Sequence, residues 1–190
     1  MRKKFLVLFI IILLITIMIS VFLIVKKCNV ISKYQKKIEA ISENNNYKLT
    51  MQSNYSFSEI YVKGDKYLLK NGDAIFFKEG ERQIIIDKES GTTEDIPNDS
   101  KISVLTNIDS IFRNEKFSLL TIIFKTNVSD EILNNNKCYK INFFDNVSGF
   151  KSIYIDKDSF KPIASETDDI TYFFMIEENV VSEEDFMVNV

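Results

Sequence analysis

An unbroken apolar run from Phe5 to Val25 constrains this chain more than any other feature of its sequence. The run has 21 residues, Thr16 and Ser20 are its only polar members, and basic residues flank it on both sides. A helix rises about 1.5 Å per residue, so this run spans roughly 30 Å, the thickness of a bilayer's hydrocarbon core. The sequence therefore predicts an amino-terminal transmembrane anchor over residues 1–27.

A cleaved secretory signal is the main alternative to an anchor. Signal peptides carry about 7–15 apolar residues followed by a cleavage site of small residues. This run is longer, and it ends in Val25-Lys26-Lys27 without an Ala-x-Ala pattern. Cys28 follows two lysines, whereas a lipidated cysteine follows small apolar residues, so we expect a plain juxtamembrane cysteine there. The sequence favours an uncleaved, single-pass anchor.

Positive charge is concentrated at the two ends of the anchor. Residues 1–37 contain eight basic and no acidic side chains, and the rest of the chain contains 16 basic and 27 acidic ones. Lysines on both flanks mean that a count of basic residues does not choose the orientation. The juxtamembrane lysines either contact anionic lipid headgroups or simply flank the anchor. Nucleic acid is not an expected partner, because an acidic domain repels its phosphates.

The residue types needed for common catalytic sites are scarce. The chain has no histidine, which excludes Ser-His-Asp triads, Cys-His pairs and imidazole metal ligands. Cys28 and Cys138 are too few for a four-thiolate zinc site or a disulfide framework. Asp156 and Asp158 are expected to form a turn; the alternative is a calcium site, although their loop lacks the glycine and terminal glutamate of an EF-hand. We predict a non-enzymatic protein without a cofactor.

A second helical pattern continues from the anchor. Between residues 28 and 45 apolar side chains recur at helical spacing, with lysines and Glu39 at the other positions. This predicts a juxtamembrane amphipathic helix whose apolar stripe packs either on the chain's own sheet or on another chain. The stripe residues that we consider as a partner contact are Ile31, Tyr34 and Ile38.

Regularly spaced glycines predict an antiparallel sheet in the region 46–190. Gly64, Gly72 and Gly80 are eight residues apart and Gly91 follows after eleven, which is the spacing of short strands joined by tight turns. The segment Ile84-Ile85-Ile86 is apolar on both faces, so we expect both faces of the sheet to be covered there. The predicted strands are Tyr47–Gln52, Phe57–Val62, Lys66–Lys70, Ala74–Lys78, Arg82–Asp87, Cys138–Phe144, Lys151–Asp156, Pro162–Glu166 and Ile170–Glu177.

The segment between the two groups of strands is predicted to be helical. Asp99 or Ser100 can cap a helix there, and Phe117–Phe124 is either a helix or a buried strand, with the helix favoured. The sequence thus predicts an α+β architecture: a transmembrane helix followed by a curved antiparallel sheet, a half-barrel, with helices on its concave face.

Three short motifs and the glycine-punctuated segment Tyr61–Phe77 resemble LolA-like domains, a group that includes bacterial lipoprotein carriers and envelope-stress sensors. The similarity extends over roughly residues 30–188. The motifs are Cys138-Tyr139-Lys140-Ile141, Tyr154-Ile155-Asp156-Lys157-Asp158-Ser159-Phe160-Lys161-Pro162, and the closing segment from Asn179 to Phe186.

This resemblance implies an extracytoplasmic domain and a cavity that accepts acyl chains in some relatives. No acyl-binding residue of the carriers matches a position in this chain. The leading hypothesis is a non-enzymatic, membrane-anchored domain in the cell envelope that binds a lipid-like ligand or an envelope protein, as a sensor, chaperone or accessory factor. The alternative is a structural subunit of a membrane complex that docks through the juxtamembrane helix.

Overall fold

The computed structural model describes residues 2–97, 117–144 and 150–187. Their order along the chain is a long helix, six strands, a short helix and five further strands. Two sequence-based predictions lie outside the described residues. They are the helix that Asp99 or Ser100 would cap and the turn at Asn146-Val147-Ser148-Gly149.

A single continuous helix, α1, forms residues Arg2–Asn44 and so includes both the apolar run and the juxtamembrane pattern. It is long and apolar enough to cross a membrane by length and composition, and its most apolar stretch lies outside the core of the protein. Asn45 ends the helix in a left-handed conformation (φ 45°), which asparagine tolerates better than most residues. The Gly64 amide then donates to the Asn45 carbonyl at 2.8 Å.

The described strands form one antiparallel sheet in the order β6-β5-β4-β3-β2-β1-β11-β10-β9-β8-β7. Its edge strands β6 and β7 do not pair with each other, so the sheet is curled but open. A second helix, α2 (Leu119–Lys125), precedes β7. The strands are β1 (Asn46–Gln52), β2 (Phe57–Lys63), β3 (Lys66–Asn71), β4 (Ala74–Glu79), β5 (Arg82–Asp87), β6 (Thr92–Asp95), β7 (Thr126–Leu133), β8 (Asn136–Phe143), β9 (Ser152–Asp156), β10 (Pro162–Glu166) and β11 (Thr171–Glu178).

The inner, concave face of the sheet packs against the second half of α1. Leu49 of β1 lies opposite Ile176 on one side and Ile60 on the other, and this apolar row continues across the sheet. Alternation along each strand places these side chains on one face. Together with the apolar stripe of α1 they form the main hydrophobic core. Its most buried members are Ile31, Ile41, Leu49, Ile60, Ile141 and Ile155.

The carboxyl-terminal segment covers part of the outer face. Val181 and Phe186 pack with Leu68, Ile84 and Ile86 in a second cluster, and the Phe186 ring lies 6.4 Å from that of Phe77. Ile85 faces the main core instead. The expectation that both faces are covered at Ile84-Ile85-Ile86 is therefore confirmed.

The α+β architecture predicted from sequence is confirmed. Seven of the nine predicted strands differ from the observed ones by one or two residues at an end, and the other two have the observed bounds. The helical interpretation of Phe117–Phe124 is also confirmed, since α2 occupies most of that segment. Two edge strands, β6 and β7, carry no sequence-based prediction. All four residues of β6 are exposed, and Thr126 is the one buried residue of β7, so neither strand has the apolar alternation that indicates a half-buried strand.

Candidate functional site

Ion pairs and hydrogen bonds of lysine side chains hold the junction between the apolar run and the domain. Lys26 forms an ion pair with Asp130 of β7, and Lys157 from the β9–β10 turn binds the other oxygen of the same carboxylate. Hydrogen bonds from Lys157 and Lys26 lower the pKa of Asp130, so the carboxylate stays ionised. The first residues after the apolar run are thus bound to the sheet.

Lys27 attaches the same point of α1 to the end of α2. Its Nζ donates to the carbonyl oxygens of Ile123 at 3.0 Å and Thr126 at 2.6 Å. The last carbonyls of a helix lack partners within the helix and carry partial negative charge, so an ammonium group satisfies and stabilises them. The carboxyl-terminal turn of α2 therefore lies beside the residue that follows the apolar run.

The structure places Ile31, Tyr34 and Ile38 together in the main core, where the sheet covers them. Desolvation by burial raises the pKa of the Tyr34 hydroxyl, as expected for a phenol removed from water. Their contact with a partner chain stays a prediction. In the described residues these side chains pack on the chain's own sheet, the first of the two alternatives that the sequence leaves open.

Polar contacts fix the far half of α1 to the sheet. Lys37 binds Glu178 of β11 at 2.7 Å, and Lys161 binds the same carboxylate oxygen at 2.8 Å. At the end of the helix the Asn44 amide donates to Asn179 Oδ1 at 2.9 Å. Because α1 is attached at Lys26, Lys27, Lys37 and Asn44, its second half is an integral part of the folded domain.

A cleft of about 380 Å³ opens on the outer face, where the β1–β2 turn approaches the β3–β4 turn. Tyr55 and Phe57 line it and are exposed, and Lys70 and Lys88 also line it. Hydrogen bonds within the turn order the Tyr55 segment: the Ser56 amide donates to the Ser53 hydroxyl at 3.0 Å. Exposed aromatic side chains on an ordered turn are typical of protein-binding surfaces.

Ion pairs and cation–π contacts connect two of the cleft residues, Glu59 and Lys70, to their neighbours on the outer face. Lys48 binds Glu59 at 2.7 Å, and the Tyr61 ring lies between the ammonium groups of Lys48 at 5.0 Å and Lys70 at 4.6 Å. The hydrogen bond from Lys48 lowers the pKa of Glu59, which keeps this carboxylate ionised. The cleft therefore combines apolar rings with fixed charges of both signs, a chemistry suited to a polypeptide partner.

A second polar cluster lies on the outer face of β8, β9 and β10 around Glu166. Its carboxylate accepts hydrogen bonds from Lys140 at 2.8 Å, Ser152 at 2.6 Å and Tyr154 at 2.7 Å. Desolvation raises the pKa of Glu166, but these three donors outweigh it and bring the pKa to about 2. The cluster is satisfied internally, which indicates a structural role in joining three strands.

We expect Glu166→Gln to lower the free energy of unfolding of the domain at neutral pH, and to lower it by less in acid. The folded pKa of about 2 lies below the ordinary glutamate value, so this carboxylate contributes stability above about pH 4.5 that is lost as the pH falls towards 2. The side chain is 29% exposed, so solvent screening limits the contribution to about 1–2 kcal/mol. Urea unfolding of the full chain in detergent at pH 7 and pH 2.5 measures it.

Glu94→Gln, on the exposed strand β6, is the matched control and should change the free energy of unfolding little at either pH. A Glu166→Gln penalty of the same size at both pH values would contradict the assigned role of the carboxylate.

The surroundings of Cys138 and Asp156 fit structural roles for both residues. Cys138 is fully buried, and desolvation raises the pKa of its thiol, which lowers the thiolate fraction. Asp156 Oδ1 accepts from the backbone amides of Asp158 at 3.2 Å and Ser159 at 2.7 Å. Asp156 is thus a turn former, as expected from sequence. Among residues 2–97, 117–144 and 150–187, acidic and thiol side chains form no group of three or more suited to a metal ion.

The sequence motifs pointed to the cleft and the junction only indirectly. The β3–β4 turn at Gly72 is predicted from the sequence, but the cleft depends on residues from two strands, β2 and β3, and from three turns. Tyr55 and Phe57 belong to an aromatic-rich composition that fits a filled core as well as a binding surface. Lys26 and Asp130 are 104 residues apart, so no local pattern connects them.

No protein-family model matches the sequence, and no curated protein matches it. Among solved structures the chain is similar to a domain assigned to an outer membrane lipoprotein-sorting protein of Vibrio parahaemolyticus. The identity is 12%, the TM-score is 0.31, and the match covers 80% of this chain and 95% of that one.

This neighbour is of the same kind as the LolA-like domains that the sequence motifs resemble. A TM-score of 0.31 is too low to transfer a ligand or a role. The architecture is defined by the sheet order and the packing of α1, and the site by the cleft and the junction.

Proposed function

We propose that this chain is a non-enzymatic, single-pass membrane protein that presents a binding domain outside the cytoplasm. The observation that carries the proposal is the continuity of α1. The first half of this helix is apolar and exposed, and its second half packs in the core of the domain. The junction at Lys26 and Lys27 is helical and bound to the sheet, whereas signal cleavage requires an accessible segment with small residues. This favours a retained anchor over a removed signal.

The exposed half of α1 has the properties that a bilayer requires. Its two polar side chains donate to carbonyls one turn back: Thr16 to Ile12 at 2.9 Å and Ser20 to Thr16 at 2.9 Å. Both hydroxyls are therefore satisfied within the helix, as the hydrocarbon core demands. The extracytoplasmic side follows the LolA-like resemblance and is part of the proposal.

An envelope protein is the partner that the site favours. The interior between α1 and the sheet is filled by side chains of α1 itself, and α1 is attached to the sheet along its length. An acyl ligand would have to displace that helix. A polypeptide partner could bind the outer cleft, where Tyr55 and Phe57 are exposed and charges of both signs are fixed. A lipid-like ligand remains the second partner considered.

We expect the double substitution Tyr55→Ala and Phe57→Ala to reduce capture of the partner by about tenfold or more, since aromatic hot spots contribute about 2 kcal/mol or more to binding. Tyr55 is 81% exposed and Phe57 52%, so the domain should stay folded. The experiment compares photo-crosslinked partners of the full chain in intact membranes for the wild type and the variant.

Met175→Ala, an exposed apolar residue on β11, is the matched control and should leave capture unchanged. Equal crosslinking by the cleft variant and this control would contradict a protein-binding cleft. Native mass spectrometry of the full chain released from nanodiscs tests the second partner, because an acyl ligand that stays bound after detergent exchange would favour the lipid-like interpretation.

A further inference from the structure

The short helix α2 presents an apolar surface outwards. Leu119 is 62%, Leu120 67% and Phe124 72% exposed, whereas Ile122 on the opposite side is the buried residue of this helix. At 100° per residue Leu120 and Phe124 lie about 40° apart on the side opposite Ile122, and Leu119 lies at the edge of that face. Phe144, also exposed, lies next to them in the fold because its amide donates to the Lys125 carbonyl at 2.9 Å. We call Leu119, Leu120, Phe124 and Phe144 the α2 patch.

The position of the α2 patch along α1 is fixed by Lys27. Its ammonium group binds the Ile123 and Thr126 carbonyls, so the end of α2 lies within one lysine side chain of the residue that follows the apolar run. Ile24 is the one residue between Phe5 and Val25 that is half-buried rather than exposed. The patch therefore adjoins the last turn of the apolar run, where the bilayer surface would lie.

A contiguous exposed apolar patch usually marks an interaction surface. Exposure of the α2 patch to water is unfavourable. At the boundary between lipid headgroups and acyl chains the apolar side chains would leave water, and the polar backbone would stay near the membrane surface. Its continuity with the apolar half of α1 identifies lipid as the occupant. The opposite end of the domain, near Asn44, lies about 26 Å further along the helix axis, since 17 residues separate Asn44 from Lys27.

We propose that the α2 patch inserts into the bilayer surface beside α1, so that the domain rests on the membrane in one orientation instead of tilting and rotating together with α1. The proposal rests on the proposed anchoring function of α1. Two attachments, the spanning helix and the inserted patch, would restrict rotation of the domain and fix the direction in which the cleft at Tyr55 faces.

The absence of tryptophan from the sequence makes a direct test simple. The full chain is reconstituted into phosphatidylcholine vesicles with single-tryptophan substitutions, and fluorescence is compared with and without bromine on the acyl chains. We expect Leu120→Trp to be quenched at least about twofold, as an interfacial residue should be. Leu13→Trp in the apolar run is the positive control. Val180→Trp is the matched exposed control, since Val180 is 52% exposed and adjoins Asn179 at the far end of α1.

The outcomes separate this inference from the proposal on which it rests. Quenching of Leu13→Trp with Leu120→Trp no more quenched than Val180→Trp would overturn insertion of the patch and leave the anchor intact. No quenching at Leu13→Trp would overturn both. A concentration-dependent blue shift of Leu120→Trp without bromine quenching would show that a second copy of the chain covers the patch, which also overturns insertion in lipid.

Discussion

The double substitution Ile31→Asp and Ile38→Asp is expected to unfold the sheet domain while leaving the chain in the membrane. Both side chains are essentially inaccessible in the core between α1 and the sheet. A buried carboxylate without a partner costs several kcal/mol, and two of them approach the whole stability of a typical domain, about 5–15 kcal/mol. The apolar run is unchanged, so membrane retention should persist.

Limited proteolysis of the membrane-bound chain measures this effect, because an unfolded sheet is cut within the strands and a folded one only at exposed turns. Ser32→Asp with Ala40→Asp is the matched control: it adds the same charges to the exposed side of the same helix. Protection equal to that of the control would contradict the packing of α1 in the core. A folded variant that loses its partner would instead favour docking through Ile31, Tyr34 and Ile38.

The double substitution Leu13→Arg and Ile17→Arg is expected to release the chain from the membrane. Arginine near the centre of a spanning helix costs about 2.5–3.5 kcal/mol for insertion, so two of them cost roughly 5–7 kcal/mol. Both positions lie in the middle of the apolar run and are exposed in the fold. The core of the domain begins further along α1, so the sheet should still form.

Alkaline extraction of membranes measures the release: the wild type should stay in the pellet and the variant should be extracted. Leu13→Phe with Ile17→Phe is the control, since it changes the side-chain shapes and keeps the run apolar. Retention of the arginine variant in the pellet would mean that the domain itself, and not α1, holds the chain at the membrane.

Local signals in the sequence were sufficient for most of the fold because its turns are short and their residues are specific. Gly64, Gly72 and Gly80 all have positive φ, the conformation that makes glycine favourable in tight hairpins. The β7–β8 hairpin was missed although it has a comparable signal. Asn134 and Asn135 both have positive φ (49° and 66°), as the central residues of a type I′ turn require.

The remaining features depend on long-range register, which local patterns do not encode. The Glu166 cluster needs β8, β9 and β10 side by side, and Lys140 and Glu166 are 26 residues apart. The α2 patch cannot be predicted from the sequence, because its leucines and Phe124 fit a buried helix equally well. Only the attachment of Lys27 to the end of α2 places these side chains beside the apolar run.

The central claim is that α1 is a retained anchor and that the domain lies outside the cytoplasm. Labelling that shows on which side of the membrane the domain lies tests this claim most directly. Glu94→Cys on exposed β6, in a Cys28→Ser background, provides one accessible thiol, since Cys138 is fully buried. Intact cells are treated with a membrane-impermeant maleimide, and the membrane pellet is then analysed for labelled chain. A retained anchor with an external domain predicts labelling of the pelleted chain before permeabilisation. Labelling of the pelleted chain only after permeabilisation, or labelled chain only in the medium, would contradict it.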